Sequence, residues 1–472
     1  MAMRFSPLFA AAAVAAVSAP AFAQPPAKAA PAAKPTDYDR QLAALFAPGG
    51  LTADAAAQRA RSVSPDVKRK AADRAGALSQ RETVDLAYVP RLSAKARYTR
   101  LSNIDQEPLT LPGPRGMPIS IQFPDPLLNS YSLGADLSVP VSDYLLRFPQ
   151  LKAAASAGEK VAAFAEQASE LGAANDARIY YYEWVRARLQ VVVAEQTVAQ
   201  VDRTLQQVSA LADVQRASRA DLLRITALKA QAELGLSQAR EVAALREDQL
   251  RIAIGARADE ALTIGEDVRN DLAVPQLDGA PALADAAMTR RYEARAIDSA
   301  IEATRSQRKA AGAGKLPRLD AFAQAGYDNP SQRVFPQEDK FTFTWAAGAQ
   351  LSWSFNDFLG AAPQQDSSDA QARGLRADRE RLAYGVRLEV LAASQQVALA
   401  QEALTTTAQG LTAAEEGYRV RKELFAAERA TTVELIDAES ELTRARIAAI
   451  DARINLRVAL AKLAHAAGLD VK

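Results

Sequence analysis

The stretch FAAERATTVELIDAES, residues 425–440, carries two carboxylates at helical spacing, Glu434 and Asp437. Three residues apart, they fall on one face of a helix close to its N-terminus. In the matching stretch RASRADLLRITA, Asp221 stands where Glu434 does, and Arg224 where Asp437 does. The plainest use of such acids is to complement a helix dipole in water. Elsewhere the chemistry is thin. The one histidine, His465 in LAHAAG, has no partner ligands in sequence and reads as a packed or helix-terminal residue. GAGK at 312–315 lacks the spacing and the Ser/Thr of a phosphate loop. There is no H-E-x-x-H, no G-x-S-x-G and no cysteine, so thiol nucleophiles, disulfides and Cys-ligated metals are excluded together. We expect no enzyme and no cofactor.

What, then, positions the acidic turns? The 472 residues are balanced in charge, Lys+Arg 57 against Asp+Glu 56, and no basic run with interleaved aromatics points to nucleic acid. The start, MAMRFSPLFAAAAVAAVSAPAFA, has a charge, an apolar run and an A-x-A pattern. It predicts a secretory signal over 1–23, followed by a Pro/Ala-rich linker over 24–50. Beyond it no run of about 18 apolar residues predicts a spanning helix. The mature chain is then periplasmic, secreted, or embedded in a membrane as strands.

The rest is written twice. Pro90 answers to Pro317, a shift of 317−90 = 227; Gly134 to Gly348, 348−134 = 214; Gly255 to Gly468, 468−255 = 213. The first copy, 51–270, therefore carries an insertion of 227−214 = 13 residues relative to the second, 271–472. It falls in a loop holding Pro108, Pro112, Pro114, Pro118, Pro124 and Pro126, which excludes helix and central strand there. Ala383, Val390, Val397, Leu404, Leu411, Tyr418 and Phe425 recur every seven residues, and Ala177, Trp184, Val191, Val198, Leu205 and Ala212 repeat the phase. These heptads predict long helical hairpins over about 150–255 and 363–468, each with a long helix of roughly 100 Å.

Four segments break the helical pattern with period-two alternation: about 88–104, 130–144, 316–329 and 340–358. In the last, Phe341, Phe343, Trp345, Ala347, Ala349, Leu351, Trp353 and Phe355 alternate with small or polar residues. Within each the alternation runs over about ten residues, the length of a membrane-spanning strand. Four strands cannot close a barrel, and an open edge is not tolerated in lipid, so other copies of the chain must complete it.

The ordered set of motifs, with LPRLDAFAQAGYD and GAQLSWSFND among them, resembles the TolC family of outer-membrane efflux and secretion channels from about residue 51 to 470. The resemblance implies an α+β membrane protein: a homotrimer whose 12-stranded barrel in the outer membrane of a Gram-negative bacterium continues as a long α-helical coiled-coil barrel through the periplasm. It implies a passive duct that opens when a periplasmic adaptor and an inner-membrane pump, of RND, ABC or similar class, dock on it. It also puts both helical turns at the periplasmic tip. There Asp221, Glu434 and Asp437 become candidates for an acidic ring, which would favour cations. Arg216, Ala217, Arg219, Phe425, Arg429, Ala430 and Thr431 become candidates for tip links or adaptor docking. The chain departs from the family at Phe425 (usually Tyr), at Glu428 (usually Gly, with Ala217 near the equivalent place) and at Ala430 (Arg in some relatives). Two other readings remain: a periplasmic adaptor, which usually has one hairpin flanked by β-rich modules, and a soluble coiled-coil scaffold, which needs no aromatic strands.

Overall fold

The computed structural model describes residues 37–103, 108–121, 127–270, 272 and 279–470. The expected signal peptide lies outside these, as do linker residues 24–36 and Pro124 and Pro126 of the proline-rich loop. The linker ends earlier than its composition suggests. Helix α1 (Asp37–Ala44) and strand β1 (Phe46–Leu51) are both ordered, and Tyr38 and Leu42 are buried in the largest core.

The first repeat continues with α2 (Ala53–Val63), α3 (Pro65–Leu86), β2 (Arg91–Arg100), the short hairpin β3 (Leu109–Pro112) and β4 (Pro118–Ile121), β5 (Asn129–Val139), α4 (Val141–Leu146), α5 (Phe148–Asp213) and α6 (Arg219–Ile254). The second has α7 (Ala280–Arg290), α8 (Tyr292–Gly312), β6 (Arg318–Asn329), β7 (Thr342–Ser352), α9 (Phe355–Ala426) and α10 (Thr432–Ala466). Part of the proline-rich loop thus forms a two-stranded sheet of its own, separate in pairing from the main one.

The main sheet is antiparallel, in the order β2-β5-β6-β7. Its centre is the junction of the two repeats, where β5 pairs with β6 from Tyr131↔Asn329 to Val139↔Ala321. The register aligns the alternation of all four strands. One face carries Tyr98, Tyr131, Leu133, Tyr327, Phe343 and Trp345; the other carries Lys95, Arg97, Asp136, Gln324, Asp328 and Gln350. Phe322, which breaks the pattern, lies on the polar face over Gly348, where a Cβ would come within 3.1 Å of its ring. Glycine makes room there for an aromatic that would otherwise have none.

Aromatic rings mark both ends of the apolar face. Tyr98, Tyr131, Phe341 and Tyr327 form a chain of contacts at one end, and Trp353, Phe355 and Phe358 cluster at the other. The last strand is shorter than its alternation implies. Ser354 accepts a hydrogen bond from the Asp357 amide and caps a helix that Phe355 begins, so Phe355 belongs to that helix.

α5 and α9 span 66 and 72 residues, about 100 Å each. α9 starts before Pro363 and runs through it; the position is exposed, so the carbonyl that loses its partner is left to water. α6 and α10 are about half as long and pair with the lower halves of α5 and α9. The upper halves pack instead on α3 and α8. The two hairpins meet through α5 and α10, giving the lateral order α6-α5-α10-α9. The heptads lie on this packing: Val386, Val390, Ala393, Val397 and Ala400 are buried. In the first repeat several expected heptad positions are half-buried, while Val192, Val193, Val201 and Val208 are buried, because α5 faces both α6 and α10. The flanking helices keep apolar residues on show, Leu234, Leu245 and Ile252 on α6 and Tyr384, Leu388 and Leu399 on α9. Among the described residues no helix is long and apolar enough to cross a membrane.

Candidate functional site

The two helical turns at the far end of the hairpins are copies of one design, offset by 213 residues. α5 ends through Gln215 and α9 through Glu428, both in the left-handed region at φ 60° and 57°. The amide of Arg216 bonds to the Leu211 carbonyl at 2.8 Å, and that of Arg429 to Leu424 at 2.8 Å. Each closes the kind of wide turn that satisfies a helix's last carbonyls. The position equivalent to Glu428 is therefore Gln215 and not Ala217. Ala217 and Ala430 are the true pair, and both tuck partly under the turn.

The next helix starts in each case with a capping box. Ser218 Oγ accepts the Asp221 amide at 3.1 Å, while Asp221 Oδ2 accepts the Ser218 amide at 3.3 Å and its hydroxyl at 2.6 Å. Thr431 Oγ1 accepts the Glu434 amide at 3.3 Å, and Glu434 Oε2 accepts the Thr431 amide at 2.9 Å. Arg421 Nη1 donates to the other Glu434 oxygen at 2.7 Å. The Thr431 amide, then Arg421, holds the Glu434 carboxyl below the usual glutamate range. Two of the three expected ring acids are thus engaged as caps. Asp437, exposed one turn further on, makes no hydrogen bond or ion pair among the described residues.

Of the expected tip links, Arg216 makes one: its Nη1 donates to Glu428 Oε1 at 2.5 Å and ties the turn of one repeat to the turn of the other. Both side chains are largely exposed. Arg219 and Arg429 are exposed, without a bonded partner among the described residues. Phe425 is buried and cannot serve as a docking surface. It sits in an apolar cluster with Val201, Val208 and Ile225 of the first hairpin and Leu435 and Ile436 of the second. That cluster is what fastens the hairpins together beneath the turns.

Reading the sequence missed two residues, Arg421 and Glu439. Glu439 is 3% exposed and accepts a 2.7 Å hydrogen bond from Thr204 Oγ1 of α5. Its signal was a carboxylate between Leu435 and Leu442 in a leucine stripe. His465, near the opposite end of α10, is packed against Asp470 at 3.0 Å, and this contact raises its affinity for a proton. Among the described residues no group of three or more His, Asp or Glu could hold a metal ion.

Residues 283–469 match the model of the family described as outer membrane efflux protein. No curated protein matches the chain. Solved structures match it along most of its length. The Neisseria gonorrhoeae MtrE outer membrane channel superposes with a TM-score of 0.72 at 16% identity, covering 88% of either chain. The Vibrio cholerae outer membrane protein VceC gives 0.70 at 16%, covering 92% of this chain and 99% of its own. CusC, described in terms of transmembrane channel formation, gives 0.73 at 14%, covering 90% and 93%. At these identities the likeness establishes the fold.

Proposed function

From a chain that carries an outer membrane efflux protein domain over residues 283–469 and the fold of outer-membrane channels, we infer a passive trimeric exit duct. The observation that carries this reading is a two-faced sheet with both edges open. β2 and β7 each have one neighbour, the apolar face is bounded by aromatics at both ends, and the opposite face is polar. In lipid those edges must be paired. Three copies supply 3×4 = 12 strands, enough to close a barrel with the polar faces lining a water-filled lumen. The exposed apolar stripes of α6 and α9 lie on opposite flanks, so in such a ring α6 of one copy meets α9 of the next.

On this reading the signal at 1–23 sends the chain to the outer membrane of a Gram-negative bacterium, and the helices reach into the periplasm. The paired turns form the tip, which opens when a periplasmic adaptor joined to an inner-membrane pump docks on it. Arg219, Arg429 and Thr431 are the exposed groups that an adaptor meets there. Asp437 is the acid left to face a cation, while Asp221 and Glu434 hold the helix starts. The test is twofold: retention in outer-membrane fractions after carbonate washing, and single-channel current from purified protein in planar bilayers. Asp437→Ala should weaken block by divalent cations. Release by carbonate, with no current, would instead support a soluble adaptor or scaffold.

A further inference from the structure

The seam between the two hairpins is mixed where it is half-buried, with Gln190 donating to Asp451 and Thr197 meeting Thr443, and becomes fully buried nearer the turns. On α5, Val201, Thr204 and Val208 form a buried stripe; on α10, Leu435, Glu439 and Leu442 form the facing one. Thr204 and Glu439 are the polar pair within these buried stripes. Thr204 Oγ1 satisfies one carboxyl oxygen of Glu439. The other, Oε2, is buried and has no hydrogen-bond partner, and Gln200 Nε2 on the preceding turn of α5 is likewise buried without one. A carboxylate so placed carries a buried charge that the Thr204 hydroxyl and, less directly, the nearby Gln200 amide favour but do not fully satisfy.

The neighbouring charges do not offset this. From α5 comes Arg203, and from α9 Lys422 and the half-buried Tyr418; Arg446 stands two turns along α10 itself. Arg203 and Lys422 favour the ionised acid, but both are exposed and neither forms an ion pair with it. Burial outweighs them and raises the affinity of Glu439 for a proton. Tyr418 follows suit: burial, then the nearby carboxylate, pushes its phenol up to about 12.

We propose that Glu439 is a proton-binding site that sets how tightly the two hairpins of one chain hold together. With its proton it is a neutral member of the seam; without it, it is a buried charge that favours separation of α5 from α10. The sign follows from linkage. The packed seam binds the proton more tightly than a solvated glutamate does. Its full strength is therefore present below pH 4.5, the ordinary value, and is lost as pH rises through the raised one. Where the tip of the duct opens by parting the hairpins, a consequence that rests on the function proposed above, acid holds it shut.

The test is amide hydrogen exchange of the full-length protein in detergent at pH 5 and pH 8, corrected for intrinsic chemical rates, over peptides covering 197–208 and 432–443. In the wild type, protection of both peptides should be lower at pH 8 than at pH 5. Glu439→Gln, uncharged and of the same shape, should keep the acid level of protection at both. Thr204→Val removes the hydroxyl that steadies the ionised form and should move the fall to higher pH. Flat protection in the wild type, or the same fall in Glu439→Gln, would overturn the proposal. Exchange reads the seam in isolated protein whether or not current is found. If exchange behaves as expected and bilayers stay silent, the duct reading fails and the proton site stands.

Discussion

Phe425→Ala should open the tip, and the structure says why this change outweighs breaking the visible ion pair beside it. Phe425 is buried in the cluster that joins the hairpins, and emptying such a site costs about 3–5 kcal/mol. Part of that packing lies within the second hairpin and survives opening. If half crosses between hairpins, the closed tip loses about 1.5–2.5 kcal/mol, at least a tenfold rise in the open-to-closed ratio. The Arg216–Glu428 pair has side chains 61% and 49% exposed. Pairs of that kind are worth about 0.2–1 kcal/mol. Glu428 also sits at φ 57°, a conformation that costs a non-glycine residue about 1–2 kcal/mol. Glu428→Gly therefore trades a weak bond for relief of backbone strain and should change little. The assay is the resting leak of single channels in planar bilayers without adaptor. Phe425→Ala should raise it at least tenfold and Glu428→Gly by less than about fivefold. A larger leak from Glu428→Gly than from Phe425→Ala would refute the claim that apolar packing, and not the ion pair, holds the tip.

Three further outcomes are expected. Ser218→Ala and Thr431→Ala each remove an N-cap and should each lower stability by about 1 kcal/mol, measurable by thermal denaturation. Contact with Asp470 raises the His465 proton affinity, so its contribution is full below pH 6.5 and is lost as pH rises through the raised value; His465→Gln should abolish that part of the pH dependence of melting. In single-tryptophan variants reconstituted with brominated lipid, Trp345 and Trp353 should be quenched, while Trp184, 1% exposed, should not.

The large design was open to a reader of the sequence because it was written twice. A 213-residue offset could be checked against itself, and period two stands out sharply from period seven. The same offset also contained the turn geometry. Gln215 and Glu428 occupy matching places, but neither is glycine, so nothing in their identity announces a left-handed residue. The acids at Asp221 and Glu434 were visible as charges, and as the fourth residues of S-x-x-D and T-x-x-E patterns, yet their bonds to the turn compete with any role as a ring. The strap at 37–51 hid behind the alanines and prolines that precede it; Tyr38 and Leu42, four apart, with Leu45 and Phe46 after them, were its trace. Phe355 continued the strand's rhythm while Ser354 had already begun a helix. Glu439 could have been found from the leucines around it. Its missing second partner could not, because that depends on what α5 brings to it.

The most direct measurement of the account is the native mass of protein extracted in detergent from outer-membrane fractions. Three chains per particle would supply 12 strands and close every sheet edge, as the account predicts. A water-soluble monomer or dimer would contradict it, for the sheet's edges and aromatic face would then have met water and not lipid.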